Sequence, residues 1–200
     1  MATKTKFDIK IFNKPIEEIE KRVAELLKEN SISNGDNILP SGQIGHYLVD
    51  AAETILNPEG GVLISLGILH HLKDEVEAIG GLDTHCQGIP GGVMQLAYSK
   101  GKVLNSFYVR SQPKRHGKSV WIDGPLEYGS RICIVQDIVT DAELIVETIR
   151  RIKEEFGANT IQVIGVIDCL GGGGERLEEL GIEYTALCTI EDVLGEDAKR

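Results

Sequence analysis

Hydrophobic positions along this chain come in two kinds of run, and their alternation predicts the architecture. Ile132, Ile134 and Val135 form a β-branched run of the sort that makes a buried parallel strand, and Thr160 to Ile167 is a second. Ala142 to Phe156 between them reads as a helix. Upstream, Pro15 opens a helix where its missing N–H costs little, and Ile16, Ile19, Val23, Leu26 and Leu27 share one face of it. Lys6 to Phe12 alternates like a short strand, and turns are expected at Asn34-Gly35-Asp36 and Ser41-Gly42.

Further helices are expected over Tyr47–Leu56 and Gly61–Lys73, the latter with a possible continuation from Asp74 to Ala78. Gly80-Gly81 reads as a break before a strand at Leu82–His85, and Gly88 to Gly92 leads into a helix at Val93–Ser99. Strands are expected at Val103–Val109, Ser119–Ile122 and Tyr184–Cys188, with a short helix at Glu175–Leu180 and a tail from Glu191 to Leu194. The Gly171–Gly174 run reads as a flexible connection, since no P-loop lysine follows it. Strands alternating with helices predict an α/β fold with a mostly parallel central sheet, and no repeat or linker divides the 200 residues, so one domain over 1–200 is expected.

Charge narrows the function classes. The chain holds 21 basic and 31 acidic residues, a net charge of −10, which argues against general nucleic-acid binding. No apolar run approaches the roughly 20 residues that cross a bilayer, and the first ten residues lack a signal-peptide core, so a cytoplasmic protein without membrane partners is expected. Cys86, Cys133, Cys169 and Cys188 form no CxxC pair, so buried structural thiols are favoured over metal ligands or disulfides.

Two segments carry candidate chemistry. Residues 110–118, RSQPKRHGK, place four cations and a histidine within nine positions, a local reversal of sign in an acidic chain. Such a segment either closes over an anionic substrate or is a solvated surface loop. Residues 131–147, RICIVQDIVTDAELIVE, run from a strand through Asp137 and a short turn into a helix N-terminus, a common place for a phosphorylated ligand. Asp141 and Glu143 occupy that turn, and they suit helix capping without any ligand. His85 reads chiefly as a hydrogen-bonded structural residue, with a ligand contact as the alternative, and His70 and His71 as surface or packing residues.

The order of VRSQPKRHG, IDGPLEYGSRICIVQDIVT and Gly88-Ile89-Pro90, followed by VIGVIDCLGGG and ELGI, resembles the type I phosphoribosyltransferases and, within them, the orotate phosphoribosyltransferases. The match runs from about Leu39 to Ile190. The resemblance implies the fold of that family, a parallel sheet with a small hood made by the terminal segments. It also implies a homodimer whose basic loop is shared across subunits. The implied reaction transfers ribose 5-phosphate from phosphoribosyl pyrophosphate (PRPP) to a nucleobase, orotate or a related base, with Mg²⁺ accompanying PRPP.

Carried over by position, Arg110, Lys114, His116 and Gly117 fit the pyrophosphate-gripping loop, Asp137 fits the second of two acidic residues that hold the ribose hydroxyls, and Thr140 opens the 5′-phosphate loop. Lys114, His116 and Asp137 are thus the implied catalytic residues. Arg110, Gln136, Thr140, Asp141, Ala142, Glu143, Leu144 and Gln87 complete the implied substrate contacts, and Asp137 is the implied link to the metal. The chain also departs from the pattern. Ser111 replaces a lysine, Gln136 replaces the first acidic residue, and Asp141, Ala142, Glu143 and Leu144 replace small residues and glycine that wrap the phosphate. Pro40 replaces a lysine, Thr84-His85-Cys86-Gln87 replaces the usual pyrophosphate-facing turn, and Cys169 stands where an arginine takes the orotate carboxylate. Three readings follow: a working transferase; a non-catalytic relative that kept the fold; or an enzyme holding a divalent cation with Asp137, Asp141 and Glu143.

Overall fold

The computed structural model describes residues 9–38, 44–82, 86, 88–112 and 121–195. Helix α1 (Ile16–Asn30) begins after Pro15 and buries Ile19, Val23, Ala24, Leu26 and Leu27, the face expected from their spacing. Strands β1 (Ile32–Ile38) and β2 (Ile44–Val49) pair antiparallel in a small separate sheet. The turn expected at Asn34–Asp36 is instead an irregularity inside β1, between Asn34 and Asn37, with Gly35 at φ 140°. The helix expected over Tyr47–Leu56 is also corrected, because Tyr47 to Val49 lie in β2 and only α2 (Ala52–Ile55) is helical. Pairing with β1 overrides the local pattern there. Ile9–Asn13 is a 3₁₀ turn rather than a strand.

Helix α3 (Pro58–His71) is capped by Asn57, whose side chain accepts from the N–H groups of Glu59 and Gly60. It ends at His71, so the expected continuation to Ala78 does not form. Fully buried Gln162 is the reason: it donates to the carbonyl of His71 and accepts from the N–H of Lys73, which ties off the chain beneath the sheet. Strand β3 (Ala78–Leu82) then runs straight through Gly80 and Gly81. These glycines do not break the strand, because the Phe107 ring fills the space beside Gly80, and Cys86 and Pro90 crowd Gly81.

Helix α4 (Gly88–Ser99), β4 (Asn105–Val109), β5 (Ile122–Asp123), β6 (Arg131–Val139), α5 (Glu143–Phe156), β7 (Asn159–Asp168), α6 (Gly173–Glu179), β8 (Glu183–Thr189) and α7 (Ile190–Leu194) complete the order. The expected tail at Glu191–Leu194 is helical because Thr189 and Asp192 form a capping box. The main sheet has the order β5-β4-β3-β6-β7-β8, parallel except for β5. Alternating residues of β6 split its two faces: Cys133 and Val135 join a core with α1, α3, α4 and α7, while Ile132 and Ile134 join one with α5 and α6. The expected α/β architecture with a mostly parallel sheet is what the chain adopts. No described helix is long and apolar enough to cross a membrane.

Candidate active site

Strand order locates the site before any side chain does. From β3 the chain moves outward to β4 on one side, and from β6 to β7 and β8 on the other. The point where the order reverses leaves a crevice at the carboxyl ends of β3 and β6, the usual ligand position in open α/β sheets. Cys86 follows β3 there, and Gln136, Asp137 and Thr140 lie at the end of β6.

Asp137 is 6% exposed, and its Oδ1 accepts from the Ile138 N–H and from Gln136 Nε2, both at 2.8 Å. Its own N–H donates to Cys86 Sγ at 3.2 Å. Burial, and then the neighbouring Asp137 carboxylate, push the Cys86 thiol well up, so this sulfur stays neutral. Gln136 Oε1 is buried and, among the described residues, has no hydrogen-bond partner. A neutral acceptor with an open lone pair beside a buried carboxylate suits a ligand that offers two hydroxyls.

The turn after β6 has two unusual features. Ala142 adopts the left-handed conformation at φ 56°, a cost of about 1–2 kcal/mol for a residue with a Cβ. Asp141 Oδ1 accepts from the Glu143 N–H at 3.0 Å, and Glu143 is exposed in the first turn of α5. The N-cap position itself is Ala142, which makes no side-chain cap bond, so Asp141 does not cap the helix as expected; it sits one residue earlier and engages the Glu143 N–H in an Asx turn. Leu144 is 62% exposed and Thr140 is exposed.

The glycine run is not a free connection. Gly173 and Gly174 belong to α6, and the Gly173 N–H donates to the Thr140 carbonyl at 2.8 Å. The glycines there allow α6 to touch the turn from below, a role hidden in sequence because Thr140 lies more than thirty residues earlier. Cys169, at the end of β7, is half-buried, and its thiol is pushed up to about 11 by burial and by the carboxylates of Asp168 and Asp137. Burial, and then Cys169, raise the Tyr47 phenol of β2, and both residues pack against the same core, which brings the small sheet to this end of β7.

Arg110 follows β4, and its guanidinium donates to Asp123 at 2.7 Å and to the Gln112 carbonyl at 3.3 Å. Lys114, His116 and Gly117 lie outside the described residues, as do Gln87, His85, Thr84 and Pro40. The structure thus brings Gln136, Asp137, Thr140, Asp141, Ala142, Glu143 and Leu144 together on one strand end, turn and helix start. The three-carboxylate cation site does not assemble: Asp137 is buried while Asp141 and Glu143 are exposed, and the described residues hold no group of three His, Cys, Asp or Glu able to bind a metal. All four cysteines are free. Sequence reasoning missed Cys86 as the partner of Asp137; its only signal was a thiol placed just before Gly88-Ile89-Pro90.

An orotate phosphoribosyltransferase of a Bradyrhizobium species is 31% identical over 181 residues, spanning 86% of this chain and 96% of the relative. The chain belongs to the orotate phosphoribosyltransferase family. A second member, from Rhodopseudomonas palustris, is 29% identical over 179 residues, 87% of this chain and 95% of its own length. Solved structures agree on the fold. The orotate phosphoribosyltransferase of Mycobacterium tuberculosis superposes with a TM-score of 0.73 at 23% identity, covering 88% of this chain and 98% of that one. The adenine phosphoribosyltransferase of Leishmania donovani gives 0.61 at 14% identity over 88% and 83% of the two chains. No family model matches the sequence.

Proposed function

We propose that the protein is a phosphoribosyltransferase of the orotate type, which joins a nitrogen of orotate or a related base to the ribose of PRPP. The bond from ribose C1 to pyrophosphate breaks, the bond from C1 to the base nitrogen forms, and the proton on that nitrogen leaves to solvent. Positive charge grows on the ribose and negative charge on the leaving group, so groups already aimed at those charges act most in the transition state. The observation that carries this reading is buried Asp137 beside Gln136 Oε1 at the switch point of the sheet, in a chain that spans nearly the whole length of its family relatives.

In this reading Asp137 and Gln136 accept the ribose hydroxyls, and Arg110, Lys114 and His116 meet the pyrophosphate. Thr140 and the turn to Leu144 face the 5′-phosphate, and Gln87 borders the pyrophosphate side. Mg²⁺ would accompany PRPP with Asp137 as its link to the protein, and would supply positive charge to the leaving pyrophosphate. A homodimer in the cytoplasm, with a hood built from α1, the small sheet and α7, belongs to the same proposal.

The test is calorimetric titration of Mg²⁺ and PRPP into the purified protein, followed by pyrophosphate release with orotate and a panel of pyrimidines. Micromolar binding that is lost in both Asp137→Asn and Lys114→Ala supports the proposal. Unchanged binding in both variants removes it. Binding without pyrophosphate release for any base would favour the non-catalytic relative.

A further inference from the structure

A cavity of about 270 Å³ connects two parts of the site that are far apart in sequence. One wall is Arg110 and Ser111, just after β4; the other is Leu144, Glu147, Thr148 and Arg151, successive turns of α5. Trp121 lies between them. The Arg151 guanidinium stacks over the Trp121 ring, 3.9 Å from its centroid, and is steadied by Glu147 at 2.9 Å. The Trp121 carbonyl in turn accepts from the Arg110 N–H at 2.8 Å.

The pair of Arg151 with Glu147 at i,i+4 is ordinary helix chemistry, but the stack on Trp121 is not required by it. Neighbouring Arg150 is exposed, whereas Arg151 is partly covered and covers an aromatic face, which a planar cation does well. The contacts form one chain: the helix that starts at the altered turn holds Arg151, Arg151 holds Trp121, and Trp121 holds the backbone of Arg110. The Arg110 side chain is separately aimed by Asp123.

We infer that Arg151 is a positioning residue, stacked on Trp121 to fix the backbone of Arg110 relative to the start of α5. The inference rests on the proposed role of Arg110 toward pyrophosphate for its catalytic consequence, but not for its structural content. Arg151 touches no substrate; it sets the separation between the arginine on one side of the crevice and the turn on the other. Loss of the stack leaves Arg110 paired with Asp123 on a backbone free to shift.

The experiment compares Arg151→Ala and Arg151→Lys with the parent chain. Residue-resolved hydrogen exchange reads the Arg110 amide directly, and emission of Trp121, the single tryptophan, reads the stack. In Arg151→Ala the protection of the Arg110 amide falls about tenfold while core amides are unchanged, and PRPP binding weakens by about the same factor, near 1.4 kcal/mol. In steady state KM for PRPP rises and kcat changes little. Arg151→Lys, which keeps a cation near the ring but loses the planar stack, recovers only part of both effects. Arg110 protection unchanged in Arg151→Ala, with the tryptophan emission showing the stack lost, overturns the inference. If the parent chain binds no PRPP, the proposed function fails, and the exchange result still decides the positioning role.

Discussion

The backbone N–H of Gly173 donates to the carbonyl of Thr140, so the start of α6 is bonded to the turn that ends β6. A Cβ at residue 173 would lie 2.5 Å from that oxygen and 3.0 Å from Val139 Cγ1, and one at residue 171 would lie 2.9 Å from the Thr140 carbonyl carbon. Both neighbours include backbone, which cannot swing aside. Gly173→Ala is therefore expected to cost about 1–3 kcal/mol, the range for overpacking a close contact. Gly88→Ala is the control, since its Cβ would meet only side-chain atoms of Leu56 and Ile55 at 3.5 and 3.6 Å. Urea unfolding midpoints check the pair; equal midpoints would remove the packing role assigned to Gly173.

If the 5′-phosphate lies at the turn from Thr140 to Leu144 as proposed, its carboxylates set ligand affinity against local stability. Asp141→Gly with Glu143→Gly removes two carboxylates from the place where the 5′-phosphate is proposed to lie. Each is worth on the order of 1 kcal/mol of repulsion at close range with water-like screening, so PRPP binding should tighten about thirtyfold. The same change removes the Asp141 bond to the Glu143 N–H and should cost roughly 1 kcal/mol of stability. Ala142→Gly relieves the left-handed backbone at φ 56° and should gain about 1 kcal/mol. Calorimetry and thermal unfolding on the same samples separate the two effects, and unchanged PRPP affinity in the double variant would show that these side chains turn away from the ligand.

Acid sensitivity has an assignable source in Glu77. The N–H of Arg131 donates to its carboxylate at 2.8 Å, and the Arg131 guanidinium adds to this, so its pKa lies below the ordinary value of 4.5. A carboxylate depressed in the folded state stabilises above its unfolded pKa, and that stability is lost as pH falls through the folded one. Glu77→Gln should therefore flatten the stability profile below about pH 4.5, leaving the neutral-to-alkaline limb with the parent's shape. Identical acid limbs in parent and variant would exclude this pair as a contributor.

Thiol chemistry should single out Cys169. The other three cysteines are buried, whereas Cys169 is reachable but raised to about 11. Iodoacetamide followed by peptide mass spectrometry should find Cys169 labelled first, slowly at neutral pH, with a rate still climbing beyond pH 9 because only the thiolate attacks. A rate already level at pH 8 would mean that burial and the carboxylates of Asp168 and Asp137 do not raise this thiol.

The sequence by itself determined the parts of this protein that depend on local periodicity and on motif order. The helix face Ile19–Leu27, the buried strands β6 and β7, and the helix at Glu143–Phe156 follow from spacing, because a core face must repeat with the period of its element. The family was legible from VRSQPKRHG and IDGPLEYGSRICIVQDIVT in order. Tertiary structure decided what depends on partners distant along the chain. Tyr47–Val49 became strand because β1 was there to pair with, and Gly80-Gly81 stayed in β3 because Phe107 fills the space beside Gly80 and Cys86 and Pro90 that beside Gly81. The site divides in the same way: residue types at 136–144 were visible in the sequence, but the burial of Asp137, its bond to Cys86 and the seating of Gly173 on Thr140 were not. Those contacts join segments more than thirty residues apart, and only the folded sheet fixes which segments meet.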